Sequence, residues 1–140
     1  MTSKLRRTIP IAVALLAVPA VALAASPKKS ATYVGTKGGG TSSIVKKVSV
    51  KVSSSGKTGQ AFLYCGSSRT PSGSPKFKIS KGHFTATKKT GSITLWSLTH
   101  GKFTSSSKAT ARLNVVTICD GKSDGSITLN LKKATPNSGY

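Results

Sequence analysis

The side chains that most often carry enzymatic chemistry are scarce in this chain. Its 140 residues contain two acidic side chains, Asp120 and Asp124, two histidines, His83 and His100, and no glutamate. Glycoside hydrolysis needs two carboxylates on opposite sides of the scissile bond, whereas both aspartates lie in one glycine-flanked segment that is typical of a turn. No nucleophile-elbow glycine pattern marks any serine. The sequence therefore predicts a protein without enzymatic activity, and a small hydrolase that uses His83 or His100 is the alternative.

Metal-binding patterns are equally sparse. Two cysteines cannot complete a structural zinc site by themselves, and the histidines have no ligand spacing. The segment 120–125 offers two carboxylates with a lysine between them, which is a poor ligand set for calcium. We therefore predict neither a metal nor another cofactor.

The first 24 residues have the organisation of a signal peptide. Lys4, Arg6 and Arg7 precede an uncharged apolar stretch, and Ala22 and Ala24 occupy the −3 and −1 positions of a cleavage site. The apolar stretch is short and interrupted by proline, which disfavours a membrane span. General secretion fits better than twin-arginine export, and an uncleaved anchor is the other alternative. No second apolar stretch offers a transmembrane anchor after cleavage.

The cysteines, Cys65 and Cys119, form one pair in an exported chain. Such a pair is most simply a disulfide, and two free thiols are the alternative. A bond would require the strands that end at these residues to meet, with Cα atoms about 4.4–6.8 Å apart.

Alternating apolar and polar residues dominate the rest of the sequence. Val48, Val50 and Val52 alternate with polar side chains, which is the period-2 signature of a half-buried strand. Further strands are predicted at 60–65, 76–79, 83–87, 92–99, 109–119 and 127–131, separated by Gly- and Ser-rich turns. In 109–119 the alternation slips at Val115 and Val116, which indicates a β-bulge or a strand buried on both faces. Seven to eight short strands spaced about ten residues apart are typical of a sandwich or a barrel, and we predict a single antiparallel β-sandwich.

Two features along these strands have both a structural and a functional interpretation. The segment 81–85 (KGHFT) is echoed at 100–104 (HGKFT), either as the same turn used in two hairpins or as a duplicated binding element. Trp96 is either a core residue or an exposed platform on which a sugar could stack. Its solvent accessibility distinguishes these two interpretations.

The order of several residues resembles the small secreted β-sandwich domains of unknown function that are found in soil actinobacteria. The resemblance lies in turn glycines, core aromatics and the final cysteine: Tyr33-x-Gly35, Phe62-x-x-Cys65, Ile79-x-x-Gly82-x-Phe84, Leu98-x-x-Gly101-x-Phe103 with Lys108-Ala109, and Cys119 before Asp120-Gly121. It implies a sandwich fold and a Cys65–Cys119 pair, and it implies no activity and no catalytic residues. The chain departs from the family in lacking a tryptophan after its last cysteine.

The charge is the most unusual property of the composition. The formal net charge is +20 for the whole chain and +17 after removal of the three basic residues of the signal peptide. Lysines spread along the whole chain, several at outward positions of strands, such as Lys51, Lys76 and Lys78. They fit either a solubilising surface whose charges prevent strand edges from pairing with other chains or a surface that attracts polyanions. The scarcity of arginine and of spare aromatics argues against sequence-specific recognition of nucleic acid.

These observations give four segments: a signal peptide (1–24), a flexible basic linker (25–32), a β-sandwich domain (33–134) and a C-terminal tail (135–140). We predict a secreted or cell-envelope protein that acts as a structural or binding module. Its expected partners are anionic cell-wall polymers or polysaccharide. We expect the affinity for them to be weak and to fall as the salt concentration rises. The sequence does not specify an oligomeric state.

Overall fold

A computed structural model describes residues 10, 12–13, 23–36, 45–66, 68–119 and 121–133. Most of the predicted signal peptide, Asp120 and the predicted C-terminal tail lie outside these residues. Strands account for all regular secondary structure in the described part, which confirms the all-β class. The eight strands are β1 (Thr32–Thr36), β2 (Val45–Val52), β3 (Thr58–Cys65), β4 (Lys76–Lys78), β5 (His83–Thr90), β6 (Ile93–Ser105), β7 (Lys108–Val115) and β8 (Ser123–Leu131).

The strands form one antiparallel sheet instead of the two sheets of the predicted sandwich. Their order in the sheet is β4-β3-β2-β1-β8-β7-β6-β5, and the edge strands β4 and β5 approach each other. Each strand therefore lies beside its neighbours in the sequence, and pairing of β1 with β8 joins the two halves of the meander. The sheet curls into a nearly closed, barrel-like structure whose one break among the described strands lies between β4 and β5, whereas two separate sheets would require two breaks.

The core follows from the alternation of side chains along the strands. On β2, Val48, Val50 and Val52 are buried while Lys51 is exposed. On β3, Ala61 and Leu63 are buried in the same phase. Inward side chains from the paired strands pack into one apolar cluster, in which Trp96, Tyr33 and Phe103 are the largest fully buried members.

Two stacked phenylalanines cover the seam where β4 and β5 meet. The rings of Phe77 and Phe84 lie 5.0 Å apart between centroids. Each ring lies against a glycine on the neighbouring strand: a Cβ on Gly59 would stand 2.5 Å from the Phe77 ring, and one on Gly101 would stand 2.6 Å from the Phe84 ring. The missing side chains let both rings lie close to the sheet, which is how glycine accommodates curvature in closed sheets.

The echoed segments 81–85 and 100–104 are neighbours in space, but they do not form the same turn. Lys81 and Gly82, both at positive φ, make the tight turn that leads from β4 into β5. His100 and Gly101 lie inside β6, where the register against β7 shifts. The two copies pair with each other, since Gly101 is opposite Phe84. The structure thus has a turn in one copy and a β-bulge in the other.

The two ends of the barrel-like sheet differ. The disulfide end carries the 66–75 loop, the 116–122 loop and the Cys65–Cys119 bond. The opposite end, called the lead-in end here, carries the β2–β3, β4–β5 and β6–β7 turns. The phase slip predicted at Val115–Val116 lies at the disulfide end, where β7 stops and Val116 and Thr117 both donate to the carbonyl of Leu95.

Residues 24–31 cross the lead-in end and contact several strands. The backbone N–H of Ala25 donates to the carbonyl of Phe103, and that of Ser30 donates to Ser53. The hydroxyl of Tyr33 accepts from the N–H of Lys28 at 2.8 Å and donates to the carbonyl of Ser106 at 2.5 Å. The predicted linker therefore lies against the β2–β3 and β6–β7 turns, across the lead-in end of the sheet.

Candidate anion-binding surface

The predicted disulfide is present and joins the two halves of the meander at one end. Cys65 is the last residue of β3, and Cys119 follows β7. Their sulfurs are bonded, and their Cα atoms lie 5.0 Å apart, inside the range expected from the sequence. This confirms the pairing, and such a bond is typical of proteins that fold in an oxidising compartment.

Trp96 lies in the core and offers no platform to a ligand. Its side chain is fully buried, and its indole N–H donates to the carbonyl of Ser72 at 2.7 Å. This bond ties the 66–75 loop to β6. Of the two interpretations given for Trp96, the structure thus has the core residue, because the large apolar ring fills the interior of a small sheet.

His83 and His100 are exposed and line one shallow groove of about 560 Å³ at the lead-in end, together with Ser80. No carboxylate lines this groove among the described residues. Asp124 belongs to the start of β8, toward the disulfide end, and Asp120 lies outside the described residues. In the part of the chain that the structure covers, no group of three or more His, Cys or Asp side chains could hold a metal.

Of the residues of the predicted cleavage site, Ala22 lies outside the described residues and Ala24 is half-buried. The Cβ of Ala24 lies against Gly82, where an added Cβ would stand 2.7 Å away from it. The carbonyl of Ala25 lies against Gly82 as well, so the residues on both sides of the predicted cleavage point are packed against the β4–β5 turn.

Two pairs of lysines from opposite ends of the sequence line one groove at the lead-in end. Lys28 and Lys29 come from residues 24–31, and Lys132 and Lys133 follow β8. The groove measures about 610 Å³, and all four side chains are exposed. The N–H of Lys132 donates to the carbonyl of Thr32, which holds the two segments side by side.

Further lysines continue this surface across the outside of the sheet. The pairing register places Thr32 opposite Lys51, Lys51 opposite Gln60, and Gln60 opposite Lys76. Neighbouring strands are about 4.8 Å apart, so charged side chains recur about every 10 Å across this row. We call the combined surface the lysine face; it consists of Lys28, Lys29, Lys51, Lys76, Lys78, Lys132 and Lys133.

The lysine face has no carboxylate to neutralise it among the described residues. Asp124 is the one described acid, and both of its oxygens accept hydrogen bonds from Arg112 at 2.8 Å. These hydrogen bonds lower the pKa of Asp124 and raise that of Arg112. Because this carboxylate is already paired, the positive charge of the lysine face is balanced by solvent ions.

The sequence alone did not predict this grouping of lysines, because the grouping depends on the register of the strands. Lysines at 28–29, 51, 76–78 and 132–133 are scattered along the chain, and the meander brings them together. The outward phase of Lys51, Lys76 and Lys78, which the alternation predicted, is confirmed by their exposure.

No protein-family model matches the chain, and no curated protein matches it. The resemblance to small secreted β-sandwich domains therefore stays a prediction. In the segments that the structure describes, no helix is long and apolar enough to cross a membrane.

Proposed function

We propose that this chain is an exported, non-enzymatic binding module of the cell envelope, or of the medium outside it, whose lysine face holds anionic polymers. The observation that carries the proposal is the convergence of seven lysines on one surface without an acidic neighbour among the described residues. The predicted signal peptide and the disulfide support the extracytoplasmic location.

The form of the lysine face favours an extended polymer over a compact anion. Its charges occupy a groove at one end and a row across several strands, so a flexible chain with repeated phosphates or carboxylates could contact them in succession. Lysine is a strongly hydrated point charge on a flexible stem. Affinity should therefore come from many weak contacts and the release of counterions, and it should fall steeply with salt.

The test is retention on isolated cell wall and on a linear polyphosphate at about 0.05 M and about 0.5 M salt. The key variant replaces Lys28, Lys29, Lys132 and Lys133 with glutamine. The matched control replaces four exposed lysines outside the lysine face, Lys46, Lys81, Lys89 and Lys122, and removes the same net charge. We expect retention of the wild type and the control at low salt, release of both at high salt, and loss of retention in the key variant. Equal behaviour of the two variants, or retention unaffected by salt, would contradict the proposal.

A small secreted hydrolase is the second candidate, because His83 and His100 line one groove with Ser80. The assay is turnover of chromogenic carboxylic and phosphate esters by the wild type and by His83→Ala and His100→Ala. Turnover that either substitution abolishes would support a hydrolase, and turnover equal to the buffer blank would exclude it for these esters.

A further inference from the structure

One groove on the described surface is a trough built from three adjacent strands. It measures about 720 Å³, within the range of small-molecule sites. It is lined by residues 51–53, at the end of β2 and just beyond it, by 58–60 at the start of β3, and by 76–78, the whole of β4. The trough therefore belongs to one continuous patch of sheet whose strands are in register.

The alternation of side chains explains the shape of the trough. Val52, Gly59 and Phe77 are directly opposite one another and buried, so this middle row turns its side chains away from solvent. The rows on either side point outward. The gap between them spans two residues along a strand, about 7 Å, and three strands across, about 10 Å.

The walls of the trough combine carbon surface with hydrogen-bonding groups. One outward row is Lys51, Gln60 and Lys76, and the other ends in Thr58 and Lys78. The aliphatic stems of the three lysines supply apolar surface while their ammonium groups remain in water. Gln60 is at the middle of its row, and its amide Nε2 donates to the carbonyl of Ser74 at 3.0 Å, which fixes the orientation of the amide.

This combination of groups fits an acidic sugar better than a bare anion. A pyranose ring presents C–H faces to carbon-lined walls, hydroxyls to amide and hydroxyl groups, and, in a uronate, a carboxylate to an ammonium group. A phosphate chain would use the lysines and leave Gln60 and Thr58 without a role. We infer that the β2–β3–β4 trough binds a uronic-acid unit of an acidic polysaccharide, with the lysines on the carboxylate and Gln60 and Thr58 on the hydroxyls.

This inference deepens the proposed function, on which it rests, by naming the substrate class at one part of the lysine face. Its test is titration of the ¹⁵N-labelled protein at low salt with a galacturonate trimer, with the same trimer as its methyl ester, and with linear polyphosphate. We expect the acid trimer to shift the amide resonances of 51–53, 58–60 and 76–78. Removing a hydrogen bond to a charged group typically costs enough to weaken binding roughly tenfold or more; we expect that loss for the methyl ester and for the Lys76→Gln/Lys78→Gln variant.

The decisive variant is Gln60→Ala, which leaves the charge unchanged. It should weaken binding of the acid trimer severalfold and leave the affinity for polyphosphate as in the wild type. A control, Lys46→Gln/Lys89→Gln, removes equal charge away from the trough and should bind the trimer like the wild type. Well-dispersed spectra of each variant verify that it is folded.

Three results would overturn the inference: the acid trimer shifting resonances elsewhere or nowhere, the acid and its ester binding equally, or Gln60→Ala having no effect. Failure of the proposed function is recognised separately. In that case even the wild-type protein is not retained on cell wall or on polyphosphate at low salt, whatever happens at the trough.

Discussion

Removal of the Cys65–Cys119 bond should cost the domain a large part of its stability. The bond joins residues 54 positions apart, and the loop-closure model assigns about 4 kcal/mol to a constraint of that length on the unfolded chain. The bond links the end of β3 to the loop after β7, and these belong to different halves of the meander. No strand pairing joins β3 to β7, so no neighbouring contact imposes the same constraint. For a domain of about 100 residues, a loss of this size lowers Tm by roughly 15–20 °C.

The assay is urea unfolding followed by circular dichroism, with the wild type compared with a Cys65→Ala/Cys119→Ala variant. We expect a lower midpoint and a larger m-value in the variant, because its unfolded chain is less compact and exposes more surface. The wild type under reducing conditions should resemble the variant, since both lack the cross-link. Ser126→Ala, at an exposed position of β8, serves as a control and should change stability by less than about 0.5 kcal/mol.

A loss below about 1 kcal/mol in the double variant would refute this reasoning, because it would show that closing the long loop contributes little. A reduced wild type that is much more stable than the double variant would also contradict it. In that case the alanines would act by removing packed sulfur atoms from the folded state, and not by freeing the unfolded chain.

Three further substitutions test other parts of the fold by the same unfolding measurement. Gly101→Ala should lower the free energy of unfolding by about 1–3 kcal/mol. The new Cβ would stand 2.5 Å from the backbone carbonyl of Phe84, which cannot move aside as a side chain could. Unchanged stability would mean that the seam adjusts freely. Tyr33→Phe should lower the free energy of unfolding by roughly 1–3 kcal/mol, because the N–H of Lys28 and the carbonyl of Ser106 would lose their hydrogen-bond partner. An unchanged free energy of unfolding would show that residues 24–31 are not anchored there. Asp124→Asn should remove a small stabilisation, because Arg112 stabilises the ionised form of Asp124 in the folded state. This stabilisation is present above the unfolded pKa of about 3.9 and is lost as pH falls through the lower folded pKa. If the variant loses stability in acid in the same way as the wild type, this pair does not contribute to stability.

The alternation of side chains was enough to predict most strands, but not how the sheet closes. Strands β2, β3 and β5 lie where period-2 patterns placed them, because a half-buried strand must alternate. Strand β7 was predicted to continue to 119, but it ends at Val115. A sandwich and a barrel-like sheet both satisfy that alternation, and the distinction lies in the pairing of β1 with β8, which no local pattern encodes. Likewise β6 was predicted to end at 99, because a glycine inside an alternating segment reads equally well as a turn or as a bulge.

The candidate site is the part that sequence reasoning could least provide, for a related reason. The sequence gives each lysine an inward or outward phase, and here the outward phases were predicted correctly. Which outward lysines become neighbours depends on register, and a shift of one residue between two strands would turn a whole strand's side chains to the other face. The register of β1 to β4 is fixed by buried residues, among them Val52, Gly59 and Phe77, which must coincide in the interior. The same coincidence aligns Lys51, Gln60 and Lys76 on the outside. The proposed binding face is thus a consequence of core packing, so a substitution that shifts this register should abolish anion binding without removing a single lysine.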